Sequence, residues 1–216
     1  MKFAATRLDL SWGTSNPRDV HAIDYVRRHL RSEELYELSA VGATMEQFND
    51  LVFASAVMGE GWRIDWDGTP AFLMGVTERH PGAYGLWGFG TKDCQPAMRS
   101  LTKWSLKTWL PDFKARTNFR RIEVRLPVSS VHSISWLKFM GMIPECTLPN
   151  YSVVGEDFIQ LALTPGKTSG DYQHVLRTHF RRDAIDDGAA RGWIGGGIDT
   201  YAPVRSAPAQ ADRRAH

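Results

Sequence analysis

Few stretches of this chain carry residue types and spacings suited to chemistry. The first is Gly85-Leu86-Trp87-Gly88-Phe89-Gly90, a glycine-bearing run that leads into a helix, with Lys92 close behind. Backbone N–H groups at the start of a helix hold anions, so this run could cradle a phosphate. Its spacing is neither a P-loop nor a dinucleotide fingerprint, and a tight strand end is the competing reading. The second set is the carboxylates Glu60, Asp65, Glu78 and Glu123. Glu78 follows an apolar strand and Glu123 lies mid-strand, so either could face a cleft as a general base. A solvated charge is the alternative for each.

Other chemistries find less material. The seven histidines are scattered, and the nearest pair, His174 and His179, does not share a helix face. No metal site is expected. Ser129, Ser130 and Ser133 lie near His132, but there is no nucleophile elbow and no acid partner, so His132 reads as a surface residue at a helix start. Two cysteines, Cys94 and Cys146, make neither a disulfide framework nor a zinc site.

The elements that must position these residues follow from periodicity. Asn16 caps a helix that opens at Pro17 and runs through Val20, Ile23, Val26 and Leu30. A second helix starts at Ser32, turns Leu35, Leu38 and Val41 inward, and stops at Gly42. Thr44 to Gln47 is a capping-box pattern for a third, from Met45 to Val57, ended by Gly59 and Gly61. The first 60 residues therefore read as largely helical. The period then changes to two. Trp62–Trp66, Ala71–Thr77 and Tyr84–Phe89 read as an antiparallel meander, with a hairpin turn at Asp67-Gly68.

A long helix follows, with Asp93 as cap and Pro96 in its first turn. Arg99, Lys103 and Lys107 fall on its wet side, and Pro111 breaks or kinks it. Arg121–Leu126 is a half-exposed strand, and Val131–Phe139 a helix stopped by Gly141. Ile143–Leu148 and Phe158–Leu163 are the last two strands. The expected fold is α/β (α+β), a mixed sheet flanked by helices, filling residues 1–165.

Residues 166–216 differ in character. A linker, Gly166–Gly170, leads to a short amphipathic helix carrying Tyr172, Leu176 and Phe180, ended by Gly188, and then to an Ala/Pro/Arg-rich end. This extension holds eight basic and six acidic residues, and with them the chain's whole net charge of +2. It reads either as a solvated extension or as an assembly arm. In the second case Tyr172, Leu176, Phe180, Trp193, Ile194 and Tyr201 are the candidate partner-binding residues.

Composition narrows the classes. At 43% hydrophobic and 23% charged, the 216 residues suit a folded globular protein. The balanced charge argues against a dedicated nucleic-acid binder, and no basic stripe with interleaved aromatics is visible. No apolar run is long enough for a membrane span, and the first ten residues do not read as a signal peptide. Eight tryptophans are unusual and hint at packing against other proteins.

The order of elements from Trp62 to Leu163 resembles the GNAT acetyltransferase fold, a meander, a long helix, a strand, a helix and two final strands. Ser130 to Met142 resembles that family's late helix, with Gly141-Met142 where Gly-Phe is usual. More narrowly, the chain resembles a phage-encoded GNAT-like group that includes internal virion protein A of short-tailed phages. Asp19–Ile23, Gly68–Val76, Leu86–Thr91 and His132–Gly141 carry the likeness, which covers about residues 18 to 163.

The resemblance implies that the N-terminus of the long helix receives the pyrophosphate of coenzyme A. An active enzyme would hold acetyl-CoA near Leu86, Gly88, Gly90, Thr91 and Lys92, with Glu78 or Glu123 as base through water. The chain departs from the pattern. The family's Gln/Arg-x-x-Gly-x-Gly/Ala loop is replaced by Gly88-Phe89-Gly90-Thr91-Lys92-Asp93-Cys94-Gln95-Pro96, where Asp93 repels phosphate and Pro96 removes a donor. The late helix has Trp136 and Phe139 but no Tyr to act as general acid. The expectation is a non-enzymatic virion protein of a short-tailed bacteriophage, with no catalytic residues and no cofactor. It would be made in the host cytoplasm and sit inside the capsid or on the portal–tail axis. There it would meet portal, tail or internal core proteins in a multi-copy assembly and take part in genome ejection. The alternative is an N-acetyltransferase using acetyl-CoA.

Overall fold

A computed structural model of the chain describes residues 2–11, 13–165 and the strand Gly195–Gly196. The expected helix at 172–188 and the partner candidates Tyr172, Leu176, Phe180, Trp193, Ile194 and Tyr201 lie outside the described residues. The described chain runs β1 (Phe3–Arg7), α1 (Pro17–Arg28), α2 (Ser32–Ala40), α3 (Phe48–Val57), β2 (Gly59–Trp66), β3 (Thr69–His80), β4 (Ala83–Gly90) and α4 (Gln95–Trp104). A π-helical turn (Ser105–Trp109), α5 (Leu110–Thr117), β5 (Arg121–Pro127), α6 (Val131–Phe139), β6 (Ile143–Leu148), β7 (Phe158–Leu163) and β8 (Gly195–Gly196) complete it. The sheet order is β1-β2-β3-β4-β5-β7-β6, with β8 on β4.

β2, β3 and β4 form the expected antiparallel meander. Its first hairpin turns on Asp67 and Gly68, both at positive φ (49° and 82°), the conformation that an Asp-Gly pair accepts. β4 and β5 are parallel, which makes the sheet mixed. Phe72 and Leu73 show how it is filled. Consecutive strand residues point to opposite faces, and both side chains are fully buried. Phe72 joins the core under α4, α5 and α6, while Leu73 joins the smaller core under α1 and α3.

Four expectations change. The first 60 residues are not only helical, because β1 pairs with β2 from Phe3↔Trp66 to Arg7↔Trp62. This edge strand is at most half-buried, so its sequence shows no strong alternation. Gly59 and Gly61 do not stop α3; both lie inside β2. A Cβ on Gly59 would sit 1.9 Å from the Val76 carbonyl oxygen, and one on Gly61 would sit 2.7 Å from Leu8 and 2.8 Å from Ala56. These glycines permit close packing instead. The capping box at Thr44 forms only in part, Thr44 N–H donating to Gln47 Oε1 at 3.1 Å, and the helix starts at Phe48. Finally, the helix continues past Pro111 to Thr117. A π turn immediately before it widens the backbone where the proline N–H is missing.

The tryptophans also resolve differently from the expectation. Trp87, Trp109 and Trp136 are buried, and Trp62, Trp66 and Trp104 pack against the same cores. Most of the tryptophan content therefore builds the interior. Arg99, Lys103 and Lys107 face solvent as expected. Among the described residues no helix is long and apolar enough to cross a membrane.

Candidate functional site

β4 and β5 are in register at only three pairs, Ala83↔Arg121, Tyr84↔Ile122 and Gly85↔Glu123. Beyond them the strands part. β5 continues against β7, from Ile122↔Leu163 to Pro127↔Phe158, and β4 stays on β3. The result is a wedge with Leu86–Gly90 on one wall and Val124–Pro127 on the other. This is where the sequence placed Leu86, Gly88, Gly90, Thr91 and Lys92.

Helix α2 spans the mouth of the wedge and is tied to both walls. On the β4 side, Gly90 N–H donates to Glu34 Oε1 at 3.1 Å, and Arg31 N–H donates to the Gly90 carbonyl at 3.3 Å. On the β5 side, Ser130 Oγ donates to Glu37 Oε1 at 2.7 Å. The end of α2 also receives Val153 N–H on the Ala40 carbonyl at 2.9 Å. Both glutamates are buried. Arg31 grips Glu34 with its Nε, 2.8 Å from Oε2 and 3.0 Å from Oε1.

Loss of hydration dominates both carboxyls. Burial pushes Glu34 up to about 7 despite Arg31, and Glu37, which lacks such a partner, up to about 8. Glu37 Oε2 has no hydrogen-bond partner among the described residues. Sequence periodicity placed Leu35, Leu38 and Val41 on the inner stripe of this helix. In fact Leu35 is exposed, and Glu34, Glu37 and Leu38 are buried. The face is turned by one residue because the wedge mouth offers polar partners, Gly90 N–H and Ser130 Oγ.

The anion-binding promise of the loop after β4 can be tested donor by donor. Gly90 N–H goes to Glu34, Thr91 N–H to the Ala71 carbonyl at 3.0 Å, and Lys92 N–H to the His29 carbonyl at 2.9 Å. Cys94 N–H goes to the Thr91 carbonyl at 3.0 Å, and Pro96 has none. The α1–α2 connection covers the loop through a bridge between Leu30 and Thr91. α4 is preceded by Cys94 with no side-chain cap, so Asp93 does not fill the capping role expected of it. Cys94 is itself buried, which raises its thiol to about 12. In this arrangement Gly90, Thr91, Lys92 and Cys94 keep no free N–H for a pyrophosphate, Pro96 has none to give, and the Glu34 carboxyl lies against the Gly90 N–H.

The candidate bases are not brought together. Registered neighbours share a face, so Glu78 lies with Tyr84 and Ile122, and Glu123 with Thr77 and Gly85 on the other. Glu78 is exposed. Glu123 pairs with Arg121 at 2.6 Å and with Arg125 at 3.8 Å. Asp65 is held by Arg63 at 3.0 Å. Glu60 is buried at a hub of its own. It accepts from Trp109 Nε1 at 2.6 Å, Trp62 Nε1 at 3.2 Å and Arg116 Nη2 at 2.9 Å. His132 is exposed. Among the described residues no group of three or more His, Cys, Asp or Glu could hold a metal ion.

No family model matches the sequence, and no curated protein does. Solved structures do. The chain is similar to a probable acetyltransferase from Staphylococcus epidermidis ATCC 12228, with a TM-score of 0.55 and 11% identity over 76% of this chain and 99% of that one. It is similar to the ribosomal-protein-S18-alanine N-acetyltransferase of Escherichia coli, with a TM-score of 0.52 and 14% identity over 74% and 94%. Ard1 from Thermoplasma volcanium matches with a TM-score of 0.52 and 14% identity over 74% and 97%. The fold is that of the GNAT acetyltransferases. The fold alone does not fix an activity.

Proposed function

We propose that this chain is a GNAT-fold building block without acyltransferase activity, acting through protein partners. One observation carries the reading. The N–H groups of Gly90, Thr91, Lys92 and Cys94 are all bonded within the chain, the first of them to the buried carboxylate of Glu34. A second feature supports it. Tyr36, Val128, Val131, Val153 and Val154 are exposed around the end of the molecule where α2, the β5–α6 turn and the β6–β7 loop meet. Exposed apolar groups gathered in this way suit a protein interface. The resemblance to the phage group adds the setting, the virion of a short-tailed phage, with other virion proteins as partners and genome ejection as the process.

The second reading is an N-acetyltransferase using acetyl-CoA. It is favoured by the wedge itself, where β4 leaves β5 after three pairs, and by the likeness to N-acetyltransferase structures. Calorimetric titration of the full chain with acetyl-CoA separates the two. No heat from a folded protein at high cofactor concentration is expected. Binding at micromolar strength would overturn the building-block reading. Mass spectrometry of purified particles tests the setting, and absence of the chain from them would refute it.

A further inference from the structure

A strand has two hydrogen-bonding edges, and the wedge leaves one edge of β4 without β5 from Leu86 onward. Such an edge is a template for another extended segment. Backbone groups alternate sides along a strand. Gly90 N–H points into the wedge, toward Glu34, so Gly88 N–H and its carbonyl point there too. That position is taken. Gly88 is in register with Gly196 and Phe89 with Gly195, antiparallel. β8 also lies against α2 and β5.

We propose that the wedge is a strand-acceptor groove whose ligand is a glycine-rich extended peptide, supplied in cis by the chain's own Gly195-Gly196. The composition suits the place. β4, β5 and α2 close on the segment from three sides, and glycine lets backbones approach where a side chain would not fit. The floor is already filled. A Cβ on Gly88 would sit 2.9 Å from Phe72, and the apolar space left among Leu86, Gly88, Val124 and Trp136 is about 20 Å³. The gap in the floor is water-sized. Twenty-nine residues lie between Pro165 and Gly195, which at ~3.4 Å each is ample to reach β4. α2, which touches β8, is also the helix that carries Glu37 Oε2, without a hydrogen-bond partner among the described residues.

This assigns the extension a seat inside the fold. The backbone groups of β4 that the fold resemblance gives to acetyl-CoA are the ones the extension uses, so the two exclude each other. The inference holds whether or not acetyl-CoA is ever bound, and its test needs none.

In the unaltered full chain, nuclear Overhauser contacts are expected between the backbone protons of Phe89 and Gly195. Their absence from an assigned spectrum overturns the proposal, and contacts that arise only between differently labelled copies overturn its cis form. In full-length Gly195→Pro/Gly196→Pro, the Gly88 amide should exchange at least tenfold faster than in the parent, with Trp87 and Phe89, which face β3, unchanged. Unchanged Gly88 exchange in that variant refutes the groove. A peptide of residues 191–200 added to the variant should restore slow exchange at Gly88, and the same peptide with proline at both glycine positions should not. Failure of the first peptide, or success of the second, also refutes it.

Discussion

Glu37→Gln should change how the stability of this protein depends on pH. In the folded chain burial holds the Glu37 carboxyl at about 8 against an ordinary 4.5. Between those values the folded state keeps the proton and the unfolded state releases it. Stability therefore falls as pH rises through the window, by about 1.4 kcal/mol per unit. From pH 6 to pH 8 this amounts to roughly 2 kcal/mol from Glu37 alone, which for a domain of this size moves Tm by about 4–8 °C. Glu34, held at about 7, adds to the same trend up to that pH in parent and variant alike. Glutamine matches the shape of Glu37 and can keep the Ser130 contact, but it has no proton to lose. Thermal melts of parent and Glu37→Gln at pH 6, 7 and 8 isolate the effect, because every other titrating group is shared. The parent should lose stability with rising pH faster than the variant, and the variant should be the more stable at pH 8. Parallel melting curves would refute the claim that α2 buries a protonated carboxyl over the wedge.

Glu60→Ala strands two indole N–H groups and the Arg116 guanidinium. It should cost about 3 kcal/mol by denaturant unfolding, since one partner of a buried charged network is removed. Gly75→Ala places a Cβ 2.1 Å from the Glu60 carbonyl oxygen and 2.5 Å from the Trp87 ring. It should destabilise by about 3 kcal/mol or fail to fold, whereas Gly68→Ala, with open space around it but φ of 82°, should cost about 1 kcal/mol. Glu78→Gln, at an exposed strand end, should leave unfolding within about 0.5 kcal/mol of the parent. A larger loss would show that Glu78 is held by the fold.

Periodicity and turn chemistry made most of the architecture legible. The strand at Arg121–Leu126 buries one face and leaves the other half-buried, a period of two that repeats visibly in sequence, and the alternation through Trp62, Ile64 and Trp66 and the Asp67-Gly68 turn were equally plain. The weak edge strand β1 left no such mark, and Pro111 suggested a break or a kink where the structure has a π turn and then further helix. The candidate site was legible only as a place. Gly85–Gly90 was recognisable as a strand end suited to close approach. That its loop donors are already bonded was not, because their partners, Glu34, Ala71 and His29, come from distant parts of the chain.

The sequence by itself determined the order of elements from α1 to β7, the inward and outward faces of β5 and α4, and a glycine-rich strand leading into a helix. Each of these is set by neighbours within one or two turns. Tertiary structure alone decided which carboxylates are buried. Glu34 and Glu37 look like surface charges on a short helix until α2 is laid across the wedge, where they meet Gly90 N–H and Ser130 Oγ. It also decided that Glu78 and Glu123 fall on opposite faces, and that Gly195 and Gly196 find β4. A polar side chain's environment depends on which segments the fold brings against it, and segments far apart in the chain leave no local pattern by which to foresee their meeting.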